Sequence, residues 1–179
     1  LWMKTLTQYA IPLSGLKAGQ HEYRFSADWR FFEQFDSSPV QQGRFDVKLA
    51  LDKQSDHMIV EIHISGEMDS DCDRCLAPIS LPITGRHTVI VKYEVGEERL
   101  DPNDPDVLYL DPDTHHWNVA GLIYEFILLS IPVRHVYDCE GEEVAPCDRK
   151  TLERLSSEEV QSEGNNPFRD VLHDFKTKK

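Results

Sequence analysis

Cys72-Asp73-Arg74-Cys75 places two thiols at the spacing where a tight turn aims both sulfurs at one tetrahedral ion, most often Zn²⁺. A second pair, Cys139 and Cys147, follows with seven intervening residues, outside the usual two to four. One reading is a structural zinc site built from Cys72, Cys75, Cys147 and Cys139. Another is reduced thiols packed at a strand end. A third, redox chemistry, asks for a CxxC that opens a helix after a strand. Here the flanks read as strands, with Pro78 and Pro82 just beyond, which disfavours redox work. His115 and His116 are adjacent on an extended chain and so point opposite ways, which makes a polar loop the better reading than a shared metal site. His135, four residues before Cys139, is the best spare ligand, against the simpler reading of a half-buried histidine after a helix.

No catalytic constellation emerges. The chain has no phosphate-binding glycine loop, no GxSxG and no HExxH. Carboxylates are plentiful, but flexible, solvated ones keep ordinary acidity and make poor catalysts. An enzyme is not expected, and neither is a small-molecule substrate.

The elements that must hold the cysteines are strands. Phe45, Val47, Leu49 and Leu51 alternate with polar neighbours, as do Met58, Val60, Ile62 and Ile64, and then Val89, Val91, Tyr93 and Val95. Period-two alternation predicts antiparallel strands over 45–52, 58–65 and 88–95 with one buried face. The CxxC lies in the connection between the second and third. His21 to Ala27 reads as a further strand, Val107 to Leu110 as an edge strand, and residues 1–20 as an extended segment with a turn. Asp28 is placed to cap a short helix, Trp29 to Phe35. Asn118 is placed to cap a second, Val119 to Ser130, apolar nearly all round and so expected to be buried against the sheet. The expected fold is α+β: an antiparallel sheet of five strands, a meander with a barrel-like closure in view, packed by one buried helix. Residues 1–147 form that domain. Residues 148–179 form a C-terminal extension, partly helical.

The chain has 179 residues and 20.7 kDa, enough to bury about 70% of its unfolded surface and to fold without disulfides. Its net charge is −13. Eight acids and one base fall in 94–113, and nine acids and three bases in 138–163, so the charge sits in presumptive loops. A uniformly acidic surface disfavours strong autonomous nucleic-acid binding, but a neutral or mildly basic face remains elsewhere. The longest apolar stretch, Val119 to Val133, is interrupted by Glu125 and too short to cross a membrane. Leu1 and Trp2 precede Met3, a candidate start, and no basic-then-apolar leader is seen. A cytoplasmic protein with no membrane partner is expected.

Several of these pieces occur in a specific order. Cys72 to Leu76 is followed by Pro78-Ile79, then by Tyr124-Glu125-Phe126-Ile127-Leu128-Leu129-Ser130-Ile131-Pro132. After these come a further cysteine, Asn166-Pro167-Phe168, Val171-Leu172 and a lysine-rich end. Over residues 45–179 this order resembles the YceD family, the large ribosomal RNA subunit accumulation proteins of bacteria and plastids. By position, Cys72 and Cys75 match the family's CxxC and Cys147 its later cysteine, while Cys139 looks additional. Tyr137 stands where relatives often have a histidine. If that histidine helps bind metal in relatives, this chain must use Cys139 or His135 instead, or bind none.

The resemblance implies a non-catalytic role in synthesis, processing or stability of large-subunit ribosomal RNA. It implies as partner that RNA or a pre-ribosomal particle, contacted directly or through a basic ribosomal protein that the acidic loops would steer. Candidate RNA or partner contacts are Arg74, Arg86, Arg169, Lys176, Lys178 and Lys179. The competing expectation is a protein-interaction module, zinc-stapled or metal-free, with no RNA role.

Overall fold

Alternating apolar and polar residues produce long strands, and the computed structural model assembles them into an open sheet. It describes residues 6–93, 107–137 and 146–162, the last seven by backbone alone. A 3-10 turn at Thr7–Tyr9 leads into β1 (Ala10–Pro12), β2 (Gly19–Ala27), α1 (Trp29–Phe32), β3 (Gly43–Lys53) and β4 (His57–Asp71). There follow β5 (Pro78–Tyr93), β6 (Val107–Leu110), β7 (His116–Asn118), α2 (Ala120–Ser130) and α3 (Arg149–Ser162). The main sheet has the order β2-β3-β4-β5-β6, and β1 pairs with β7 in a separate two-stranded sheet. The architecture is α+β, as the sequence predicts.

Register is continuous. β2 meets β3 from Gly19 opposite Lys53 to Ala27 opposite Phe45, and β3 meets β4 from Gly43 opposite Met68 to Lys53 opposite Met58. The three predicted runs lie inside β3, β4 and β5, except residues 94 and 95, which fall outside the described residues. β5 is longer than its apolar run because it starts at Pro78 and tolerates Pro82. β6 pairs only with Ile90–Tyr93, so Pro82 removes no donor from the β5–β6 ladder.

Two expectations about the sheet are corrected. β6 runs parallel to β5, so the sheet is mixed rather than purely antiparallel. Thirteen residues, 94–106, separate the two strands, enough for the dozen-residue crossover that a parallel pair needs. The sheet also does not close toward a barrel, since β2 and β6 are its two edges.

The buried face carries Phe45, Val47, Leu49 and Leu51, Met58, Val60, Ile62 and Ile64, and Ile83, Val89 and Val91. Asp28 caps α1, accepting from the N–H groups of Arg30 (3.1 Å) and Phe31 (3.4 Å). The helix is shorter than predicted, ending at Phe32, and turns carry the chain on to Phe35. Phe32 packs edge-on against Phe45 with 5.5 Å between centroids, and Phe35 stacks on Tyr124 of α2 at 3.9 Å.

α2 starts one residue later than predicted, with Val119 rather than Asn118 at the N-cap position, but Asn118 still serves the helix start: its Oδ1 accepts from Ala120 N–H at 2.9 Å. The helix stops at Ser130 because Ile131, preceding Pro132, is driven into extended conformation. Burial all round is not observed. Ala120, Ile123 and Ile127 are buried, while Leu129 is 71% exposed. At the β5 contact a Cβ on Gly85 would overlap the Ser130 hydroxyl. That hydroxyl donates to Phe126 O (2.7 Å) and so accepts from Nε2–H of His87 (2.9 Å), whose ring stacks on Phe126 at 4.5 Å. His116 belongs to β7 rather than to a loop, whereas His115 bonds Ser14 Oγ through Nδ1 at 2.7 Å.

The chain divides into two compact units, Leu1–Ser70 with Ser80–Arg134, and Asp71–Ile79 with His135–Lys179. Within the second, Asp148 caps α3, bonding Lys150 N–H (3.0 Å) and Thr151 Oγ1 (2.8 Å). The Thr151 hydroxyl and these amides hold the Asp148 carboxyl below its ordinary range. No helix among the described residues is long and apolar enough to cross a membrane.

Candidate functional site

In the second unit, the turn at 72–77 is closed by two backbone bonds of 2.8 Å, Leu76 N–H to Cys72 O and Cys72 N–H to Ala77 O. Both cysteines are buried free thiols. Burial pushes the Cys72 thiol up, but backbone N–H groups of Tyr137, Arg74 and Cys75, with the Cys75 side chain, more than offset it and hold the thiol below its ordinary value. Sulfur held this way is the arrangement of a knuckle. Its price is Leu76, a non-glycine residue at φ 57°, which costs about 1–2 kcal/mol and leaves the side chain 75% exposed. Arg74 is exposed on the same turn.

The segment 135–137 is tied to this turn through hydrogen bonds. Asp73 N–H donates to His135 O at 2.7 Å, and His135 N–H donates to Asp73 Oδ2 at 2.7 Å. The sequence offers the His135 imidazole as a ligand; in the structure its main chain is tied to the knuckle turn. Asp73→Ala removes the carboxylate from this pair, whereas Asp73→Asn keeps an acceptor. We expect hydrogen exchange at the Tyr137 amide to accelerate about tenfold in the alanine variant, the equivalent of roughly 1.4 kcal/mol, and much less in the asparagine variant. Equal rates in all three chains would show that the carboxylate does not hold this segment.

The described residues supply two sulfurs to a metal site and do not complete one. No group of three or more His, Cys, Asp or Glu is gathered among them. Cys147 is disulfide-bonded, so a ligand role for it requires reduction, and Cys139 lies outside the described residues. Arg169, Lys176, Lys178 and Lys179 also lie outside them.

In the first unit, the outward face of the main sheet carries a shallow groove of about 850 Å³. Arg24 lies opposite Lys48, and Lys48 opposite His63, so three basic side chains form one row across β2, β3 and β4. Arg86 of β5 lines the same groove, with Asp46 its one carboxylate. Glu22, one row along, bonds Lys48 (2.8 Å) and Arg24 (2.9 Å), and these two cations hold its carboxyl below the ordinary range. Of these residues the sequence reading singles out only Arg86. Arg24, Lys48 and His63 are each an ordinary outward residue of an alternating strand. Their outward parity is legible, but the alignment between strands is not.

An open mixed sheet that packs α2 on one face, together with a cysteine knuckle tied to the chain beyond α2, defines the class of this protein. Residues 60–176 match the family model described as Large ribosomal RNA subunit accumulation protein YceD, and the chain belongs to that family. The match takes in the knuckle, β5, α2 and α3. No curated protein and no solved structure matches the chain.

Proposed function

We propose that this chain is a non-catalytic accessory factor in the synthesis, processing or stability of large-subunit ribosomal RNA, working in the cytoplasm by binding. The family match over residues 60–176 carries the reading. Binding rather than chemistry is supported by the character of the groove. Its basic groups stand on a solvated sheet face, and groups so exposed lack the desolvation that tunes a catalytic acid or base.

Deletion of the gene is expected to lower large-subunit ribosomal RNA relative to small-subunit RNA and to deplete large subunits in a ribosome profile. Reintroducing the chain restores both. Unchanged RNA ratios on deletion would overturn the proposal.

A further inference from the structure

We propose that the outward face of the main sheet, centred on Arg24, Lys48 and Arg86, is a contact surface for the sugar-phosphate backbone of structured RNA. This rests on the ribosomal-RNA reading above and assigns it a place on the fold.

Charge complementarity is the first support. The chain carries −13, yet Arg24, Lys48 and Arg86 line this groove with one carboxylate, Asp46, among them and a second, Glu22, at its rim, so cations outnumber carboxylates here. His63 stands in the same row, with its Nε2 3.7 Å from Glu61. Neighbouring strands lie about 4.8 Å apart, so the cross-strand row sets its cations at regular steps across the sheet. Among the described residues Arg86 makes no ion pair. Arg24 and Lys48 are held by Glu22, at 79% and 48% side-chain exposure. Exposed pairs of this kind are weak in water, so a phosphate can displace the carboxylate and take over the same donors.

The chemistry of the lining decides between backbone and bases. The outward positions on β2 to β5 in this groove are Arg24, Asp46, Lys48, His63, Ser65 and Thr84 together with Arg86. None is Phe, Tyr or Trp, and the one aromatic lining residue, Phe25, has the opposite strand parity and stacks on Tyr9 at 5.6 Å, so these outward positions offer no aromatic platform on which single-stranded bases stack. Cations and hydroxyls on a shallow, open surface suit phosphate and sugar oxygens, which position an RNA without reading its sequence. The same charge makes the face a poor partner for a basic protein.

The test uses the full chain, a hairpin from large-subunit ribosomal RNA, and an unrelated hairpin of equal length. Binding is measured across a salt series for wild type, for Lys48→Gln with Arg86→Gln, and for Arg30→Gln. Arg30 lies outside the groove, with its guanidinium 5.1 Å from the centre of the Trp29 ring. The double variant is expected to lose affinity for both hairpins. Its salt slope should fall by about two, making the loss between 50 and 200 mM salt roughly tenfold smaller than for wild type. Arg30→Gln should leave the slope unchanged. Glu22→Gln should tighten binding by releasing Arg24 and Lys48, a gain that a misfolded variant cannot show. An unchanged slope in the double variant, no RNA binding by wild type, or equal competition by polyglutamate, which would mark the face as a site for an acidic protein, each overturns the assignment. An unchanged slope while deletion still depresses large-subunit RNA sinks the surface alone. Unchanged RNA levels on deletion sink the family-based reading itself.

Discussion

Gly66→Ala is expected to destabilise this protein by at least about 3 kcal/mol, the upper range for forcing atoms into a filled core, and to lower its yield of folded chain sharply. Gly66 lies opposite Phe45 in the β3–β4 ladder. A Cβ there would overlap the Arg44 carbonyl oxygen and lie 2.7 Å from Phe45 Cα and 2.8 Å from Phe45 Cδ1. Two of these three atoms are backbone and cannot rotate aside. The third belongs to a ring with no solvent exposure, already packed against Phe32. Relief therefore requires β3 and β4 to part at the third pair of an eleven-pair register. Gly121→Ala is the matched control. It lies in α2 with nothing within 4 Å of its added Cβ, and should stabilise by about 0.5–1 kcal/mol through helix propensity. Denaturant midpoints measure both. A Gly66→Ala midpoint within 1 kcal/mol of wild type would mean that the two strands separate far more easily than the ladder indicates.

The contrast between these glycines shows what the sequence could and could not convey. Alternation at 45–52 and 58–65 is a local signal, so the strands and their buried parity were legible. Asp28 and Asn118 were legible as helix-start residues for the same reason, since each side chain bonds a backbone N–H within three residues of itself. The tight crossing at Gly66 was not, because it depends on which residue of β3 faces it. The short turn between β3 and β4, with Gln54 N–H bonding His57 O at 2.9 Å, fixes that pairing and brings Lys48 opposite His63. Arg24 joins the row only through the β2–β3 pairing, whose connection includes α1 and has no fixed length rule. The basic face was hidden from the sequence in this way. The knuckle was half visible: CxxC is a local motif, but the tie from Asp73 to His135 spans 62 positions. The parallel course of β6 left a length cue in the thirteen residues before it, set against an alternation pattern that does not encode strand direction.

Helix α2 separates burial from hydrophobicity, and a pair of substitutions should show it. Leu122, Ile123, Phe126, Ile127 and Leu129 make the helix look apolar on every side. The structure ranks them differently, with Ile127 at 0% exposure and Leu129 at 71%. Ile127→Ala deletes methyl groups from a packed interior and should cost about 2–5 kcal/mol, the loss of transfer energy plus that of the cavity left behind. Leu129→Ala removes a side chain that water already reaches, and should change stability by no more than about 0.5 kcal/mol. Alanine has the higher helix propensity in both cases, so propensity cannot produce the difference. The two sites share a helix two residues apart, and the anchors around them are common: Asn118 at the start, the His87–Ser130 bond near the end and the Tyr124–Phe35 stack. Whatever separates their midpoints therefore reports which face meets the core. If Leu129→Ala proves as costly as Ile127→Ala, Leu129 is covered in solution by something other than the described residues. Its loss would then be expected to weaken binding of whatever partner covers it as well as the fold.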